Sequence, residues 1–343
     1  MYMKKTLKNT LYIFFATIAL VIQAKENVNH PGGNATTPDQ SLAFNCAAGT
    51  AQTLLDINNV KTMILNGGDM WWDLSNPKYE IPKNSGKHSL FAGSLWIGGL
   101  DDEDQLKVAA QTYRQSGNDF WPGPLDNARL SSDGNLNNKY GTTNADVCSE
   151  YDYHHVITRA EVEEFLAFSN SNDPNIEFPN YSIPSSILDY PGDRKLEFQS
   201  ENSYEGYDDV VATNPYYALE TLAPYRDVNN DGKYTPSAGD YPEYNIDGSL
   251  NCQEADMLFG DQTLWWVYND KGESHTASGS LEPIGLEIQA QAFAFSTNDE
   301  INNMTFYNYK LINRSHNALN DAYFGVHVDP DLGNYQDDFV GCD

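Results

Sequence analysis

The chain has 343 residues with 49 acidic against 20 basic side chains, a formal net charge of −29, and 13% aromatic content. Such a polyanion repels nucleic acid and anionic lipid, which excludes both as partners. Its length and bulky apolar content exclude a disordered chain and allow one large domain or two smaller ones.

Residues 1–24 have the layout of a secretory signal peptide: Lys4, Lys5 and Lys8, an uncharged apolar stretch from Leu11 to Ile22, and Gln23-Ala24 before the polar Lys25-Glu26-Asn27. The apolar stretch is shorter than the roughly 20 residues a spanning helix needs, so no membrane span is expected in the mature chain. Cleavage removes three lysines and no acids, which takes the net charge from −29 to −32. The expected location is therefore secreted or at the outer cell surface. In that oxidising setting Cys46, Cys148, Cys252 and Cys342, too far apart for zinc pairs, are expected to form disulfides, with three connectivities open.

Residues 25–42 lack any apolar period and read as a flexible leader. From Phe44 onward short β-type runs appear: Val60 to Leu65, Ser89 to Ile97, and Leu106 to Tyr113. The last two suggest a hairpin around the acidic turn Asp101 to Asp104. Residues 43–260 as a whole read as β-rich and loop-heavy. One helix interrupts the loops, where Thr158 and Glu161 have capping-box spacing ahead of the apolar stripe Val162, Phe165 and Leu166. Loops this long call for ligands, bridges or function to order them.

Residues 261–343 carry the cleanest β pattern: Thr263 to Tyr268, Leu286 to Ser296, Met304 to Ile312 and Ala322 to Val328, with turns marked by Asn269 to Gly272 and Asn298 to Glu300. Alternation places Leu286, Ile288, Ala290 and Ala292 on one face and Glu287, Gln289 and Gln291 on the other, as in a half-buried strand. The expected fold class is mainly β, an antiparallel β-sandwich with long loops and one short helix. The ending Gly341-Cys342-Asp343 follows a strand inside an acidic loop, which suggests truncation and a final strand without a neighbour.

The strongest local motif is Asp227-Val-Asn229-Asn-Asp231-Gly232-Lys233, the first half of an EF-hand calcium loop. Oxygen ligands fall at alternate positions, glycine makes the sharp turn, and the Lys233 carbonyl follows. Ala238 occupies the twelfth position where a bidentate Glu belongs, and Asp240 is the substitute. The competing reading is a solvated turn, because Asn, Asp and Gly make turns without metal. A second acidic loop with Asp329, Asp331, Asp337 and Asp338 matches no single calcium spacing. Trp72 and Trp266, each one of an adjacent pair, are candidates for stacking on sugar rings, although neighbouring strand residues point to opposite faces and both serve equally well as core. No nucleophile elbow, zinc-protease helix or phosphate loop is present, and His154-His155 diverge on a strand, so no catalytic residues are assigned.

The segments Ile64-Leu-Asn-Gly-Gly-Asp-Met-Trp-Trp-Asp73, Ser94-Leu-Trp-Ile-Gly-Gly99, Val108-Ala-Ala-Gln-Thr-Tyr-Arg114, Asp119-Phe-Trp-Pro-Gly-Pro124 and the loop Asp227 to Pro242 are distinctive together. With Ala292 to Asp299, Asn302 to Tyr309 and the Asp329 to Asp343 ending, they resemble the amino-terminal region of large secreted proteins of Bacteroidetes-type bacteria exported by type IX secretion. The resemblance implies export and surface display and brings no activity with it. The carboxy-terminal sorting domain of that group is lacking. The expected function is a calcium-stabilised structural or adhesive protein, not an enzyme, whose partners are extracellular matrix, polysaccharide or a surface protein. The rival expectation is a carbohydrate-binding module or glycan-active enzyme.

Overall fold

The computed structural model describes residues 45–111, 113, 117–127, 140–193, 221–246, 257–280, 282–332 and 336. The signal peptide, the leader, Cys252, Cys342, Asp337 and Asp338 lie outside the described residues.

In chain order the elements are β1 (Gln52–Leu55), β2 (Lys61–Leu65), β3 (Asp69–Met70), β4 (Tyr79–Glu80), β5 (His88–Leu100), β6 (Leu106–Ala110), β7 (Trp121–Pro122), α1 (Ala145–Glu150), β8 (His155–Thr158), α2 (Arg159–Ser169), α3 (Pro174–Glu177) and α4 (Ser185–Leu188). Then follow β9 (Tyr225–Arg226), β10 (Tyr241–Pro242), β11 (Gln262–Asn269), β12 (Leu286–Ala294), β13 (Phe306–Asn313) and β14 (Asn320–Pro330). The fold is mainly β with antiparallel ladders. One sheet runs β1-β2-β3-β5-β14, with β4 and β6 also on β5; the other runs β13-β12-β11-β7, with β8 also on β11. No helix among the described residues is long and apolar enough to cross a membrane.

The two stretches 43–260 and 261–343 do not fold separately: β14 completes the first sheet, and β7 and β8 complete the second. The acidic hairpin forms, Leu100 pairing with Leu106 while the Asp101 carboxylate accepts the amides of Glu103 and Gln105. The α2 capping box also forms, with Thr158 and Glu161 each bonded to the other's backbone amide. Three further helices of four to six residues accompany it.

Between the sheets lies one core, in which Ile64, Leu95 and Ile97 meet Leu264, Trp266, Tyr268, Ile288 and Ala290. A second core covers the other face of the second sheet, where Ile157, Trp265 and Val267 meet Val162 and Phe165 of α2, Ile187 of α4, Tyr190 and Tyr225. The chain thus forms three layers, and β12 is buried on both faces.

That arrangement corrects the half-buried reading of β12. Glu287, Gln289 and Gln291 are buried, not solvated. Leu125 N and Gln289 Nε2 donate to Glu287, the Arg314 guanidinium approaches it at 3.5 Å, and Gln291 Nε2 donates to Met257 O. Alternation distinguishes apolar from polar neighbours, and here the polar neighbours are loops rather than water.

The adjacent tryptophans do split between faces. Trp71, at φ +76°, enters the core between the sheets and its indole donates to Tyr307 OH, whereas Trp72 packs with Leu65 and Phe91 and donates to Asp69. Gly93 makes room for the first of these, since a Cβ there would sit 2.4 Å from the Trp71 ring. Gly93→Ala is expected to destabilise the fold by about 1–3 kcal/mol through overpacking, read as a lower urea midpoint. Cys46 and Cys148 form a disulfide that ties the segment ahead of β1 to α1, beside the buried Trp121.

Candidate metal centre

The loop from Asp227 to Asp240 is closed at its base by β9 and β10, which pair Arg226 with Tyr241 and Tyr225 with Pro242. Its first half is built from side-chain-to-backbone hydrogen bonds that wrap the chain around its own acids. Asp227 accepts from Gly232 N at 2.8 Å and Asp231 N at 3.3 Å. Asn229 Oδ1 also accepts from Asp231 N, and Asp231 accepts from Lys233 N. Asn230 and Gly232 take left-handed backbone at φ +58° and +76°, a conformation Asn and Gly tolerate best.

The second half explains why Asp240 rather than position 238 meets the acids. A 3-10 turn over Pro236–Ala238 takes up the extra residues, and Gly239 at φ +105° reverses the chain. The buried Asp240 carboxylate then reaches back to accept from Val228 N and Thr235 N, both at 2.8 Å. As a result Asp227, Asp231 and Asp240 each bring a carboxylate oxygen within 4.8 Å of the others, the one such cluster of acids among the described residues. Asn229 lies in the same ring, its amide donating to Asp231 Oδ2, and Lys233 follows with its backbone.

One further aspartate, outside that cluster of three, lies beside the loop. Asp193 accepts from Tyr234 N at 2.8 Å, and its carboxyl is pushed up by burial and by the charges of Asp231 and Asp240, against the bonds from Tyr234 and Tyr225. The phenols of Tyr225 and Tyr234 are raised first by burial and then by these same aspartates. No sequence spacing links Asp193 to a loop that starts 34 residues later; the Tyr225, Tyr234 and Tyr190 ring contacts bring it there. The arrangement offers only oxygen donors, the chemistry of a hard divalent cation. An open cavity of about 430 Å³ is lined by Tyr225, Asn230, Tyr241 and one acid of the group, Asp227.

The other candidates fare differently. Asp329 pairs with Ala92 near the end of β14, and Asp331, just past that strand, donates its amide to Ser89 O, while Asp337 and Asp338 lie outside the described residues. Trp72 and Trp266 are 8% and 4% exposed, so neither can serve as a sugar platform; both fill cores. His154 and His155 diverge, the first bonded to Thr53 and the second to Ser186 O. Comparison with protein-family models, with curated proteins and with solved structures gives no match to this chain.

Proposed function

We propose that this chain is an exported structural or adhesive module stabilised by calcium, held by Asp227, Asn229, Asp231, the Lys233 carbonyl and Asp240. The supporting observation is the convergence of three carboxylates on one point in a loop whose first half, Asp227 to Lys233, has the spacing of a calcium loop. The loop is docked on the cover layer of the second sheet: Tyr234 OH donates to Ile187 O in α4, and Tyr190 OH to Pro224 O ahead of β9. An ion there fastens that layer, which gives the metal a structural role in a calcium-rich exterior. Export by type IX secretion and contact with matrix, polysaccharide or a surface protein belong to the same reading.

Thermal melting in excess calcium and in excess chelator tests it. Calcium at a hundred times its dissociation constant should add about 2.7 kcal/mol. Asp231→Ala, at an exposed position, should abolish that gain and leave the calcium-free midpoint close to that of the parent. Equal midpoints for the parent chain in calcium and in chelator would refute the proposal.

A further inference from the structure

The open cavity beside the metal loop has about 430 Å³, within the span of about 300 to 1,000 Å³ that ligand sites occupy. Of its lining residues only Asp227 belongs to the proposed ion site; Arg226, Val228, Asn230, Tyr241 and Glu243 do not. The wall is held in place by the fold itself. Arg226 pairs with Tyr241 in the β9-β10 ladder, the Val228 amide donates to the buried Asp240 carboxylate, and Asn230 sits inside the loop at φ +58°. A wall fixed in advance loses little freedom when a ligand binds.

Two chemistries line this cavity. The half-buried Tyr241 ring and Val228, which is 50% exposed, supply apolar surface. Arg226 and Glu243 stand side by side, Nη1 3.8 Å from Oε1, too far apart for a direct hydrogen bond, and Asn230 adds an amide. An anionic ligand there meets Asp227 and Glu243 in a chain of net charge −29, and a cation meets the fixed charge of Arg226. A wholly apolar ligand strips water from these polar side chains and returns no hydrogen bond. A hydroxyl both donates and accepts, so neighbouring hydroxyls can satisfy the guanidinium and the carboxylate together. The C–H face of the same sugar ring then lies on Tyr241 and Val228. Because the cavity is open, the far side of a bound ring stays in solvent, which suits one or two units of a longer chain rather than a small enclosed molecule.

We propose that this cavity binds a neutral polysaccharide through one or two of its sugar units. The proposal rests on the adhesive part of the function proposed above and narrows its partner; the ion site is tested apart from it.

The test is affinity electrophoresis of the full chain in native gels cast with xyloglucan, galactomannan, mixed-linkage β-glucan or arabinoxylan, with hyaluronan as the anionic counterpart and calcium present throughout. Saturable retardation by at least one neutral polymer is expected, with affinity at least tenfold weaker for Arg226→Ala and for Tyr241→Ala. The Arg226 side chain is 61% exposed, so its variant should keep the parent's melting midpoint and report on binding alone. Retardation by none of the neutral polymers, stronger retardation by hyaluronan, or equal retardation of the parent and Arg226→Ala overturns the proposal. A chain that is not retarded but still gains melting temperature from calcium loses the sugar site and keeps the ion, whereas equal midpoints in calcium and chelator remove the ion and leave retardation to decide the cavity.

Discussion

Replacing His275 with alanine is expected to lower stability by about 3–5 kcal/mol, the largest single-residue loss expected in this chain. His275 is fully buried between two fully buried carboxylates, with Asp119 Oδ2 3.8 Å from Nδ1 and Asp270 Oδ2 3.5 Å from Nε2. Its two ring nitrogens face Val108 O at 2.8 Å and Asp270 O at 2.6 Å. Carbonyl oxygens only accept, so both bonds require a hydrogen on each nitrogen, and the carboxylates balance the charge this places on the ring. The acids are bound in turn. Asp119 takes the amides of Ala110, Thr276, Ala277 and Ser278, and Asp270 those of Ile284, Gly285 and Leu286.

The group therefore joins β6 of the first sheet to the start of β12 in the second. Alanine at 275 leaves two carbonyls without donors and two buried carboxylates without a counter-charge. Urea unfolding near neutral pH should show a lower midpoint at unchanged slope, with His275→Gln, which keeps one donor, falling between alanine and the parent. A loss below about 1 kcal/mol for alanine would reduce the ring to a spacer.

This staple was not legible in the sequence, and the reason is physical. Asn269-Asp270-Lys271-Gly272 has the composition of a tight turn and reads as one. In the structure Asn269 donates to the carbonyl of Gly123 and Asp270 caps amides fourteen to sixteen residues ahead, so the same residues begin a long ordered connection. Local pattern identifies side chains able to make a turn, and only tertiary contacts decide which amides they bind. The long strands were legible because their alternation is local, β5, β11 and β12 above all. The helices α1, α3 and α4 were not, because four to six residues are too few to display a helical period. The acids of the metal loop were legible as a spacing, while Asp193 is bonded to the loop at Tyr234 N through tyrosine packing that leaves no mark on spacing.

Two buried groups of opposite sign should shape stability against pH, and single substitutions should expose each. Burial pushes the Asp69 carboxyl up to about 6, against the bond from the Trp72 indole and that from its own backbone. The folded state holds that proton more tightly than the unfolded chain, so this contribution is whole below the ordinary value of 3.8 and is lost as pH rises through 6. The loss is on the order of 3 kcal/mol.

His154 runs the other way. Burial holds it down to about 4, against Leu65 and Asp152, so its contribution is whole above 6.5 and is lost as pH falls towards 4, again by on the order of 3 kcal/mol. Between these values the two slopes oppose each other, and the parent chain should be nearly flat from pH 5 to 6.5 as far as these groups decide. Asp69→Asn keeps an oxygen for the Trp72 indole and removes the first slope. It should be more stable than the parent at pH 7.5 by up to about 3 kcal/mol and should lose stability steadily on acidification. His154→Gln should do the reverse and gain stability as pH falls from 7.5 to 5. Urea midpoints at pH 7.5, 6.5 and 5 decide the matter: an Asp69→Asn profile parallel to that of the parent would mean that the carboxyl is solvated, and that the bond from Trp72 reaches it from the surface.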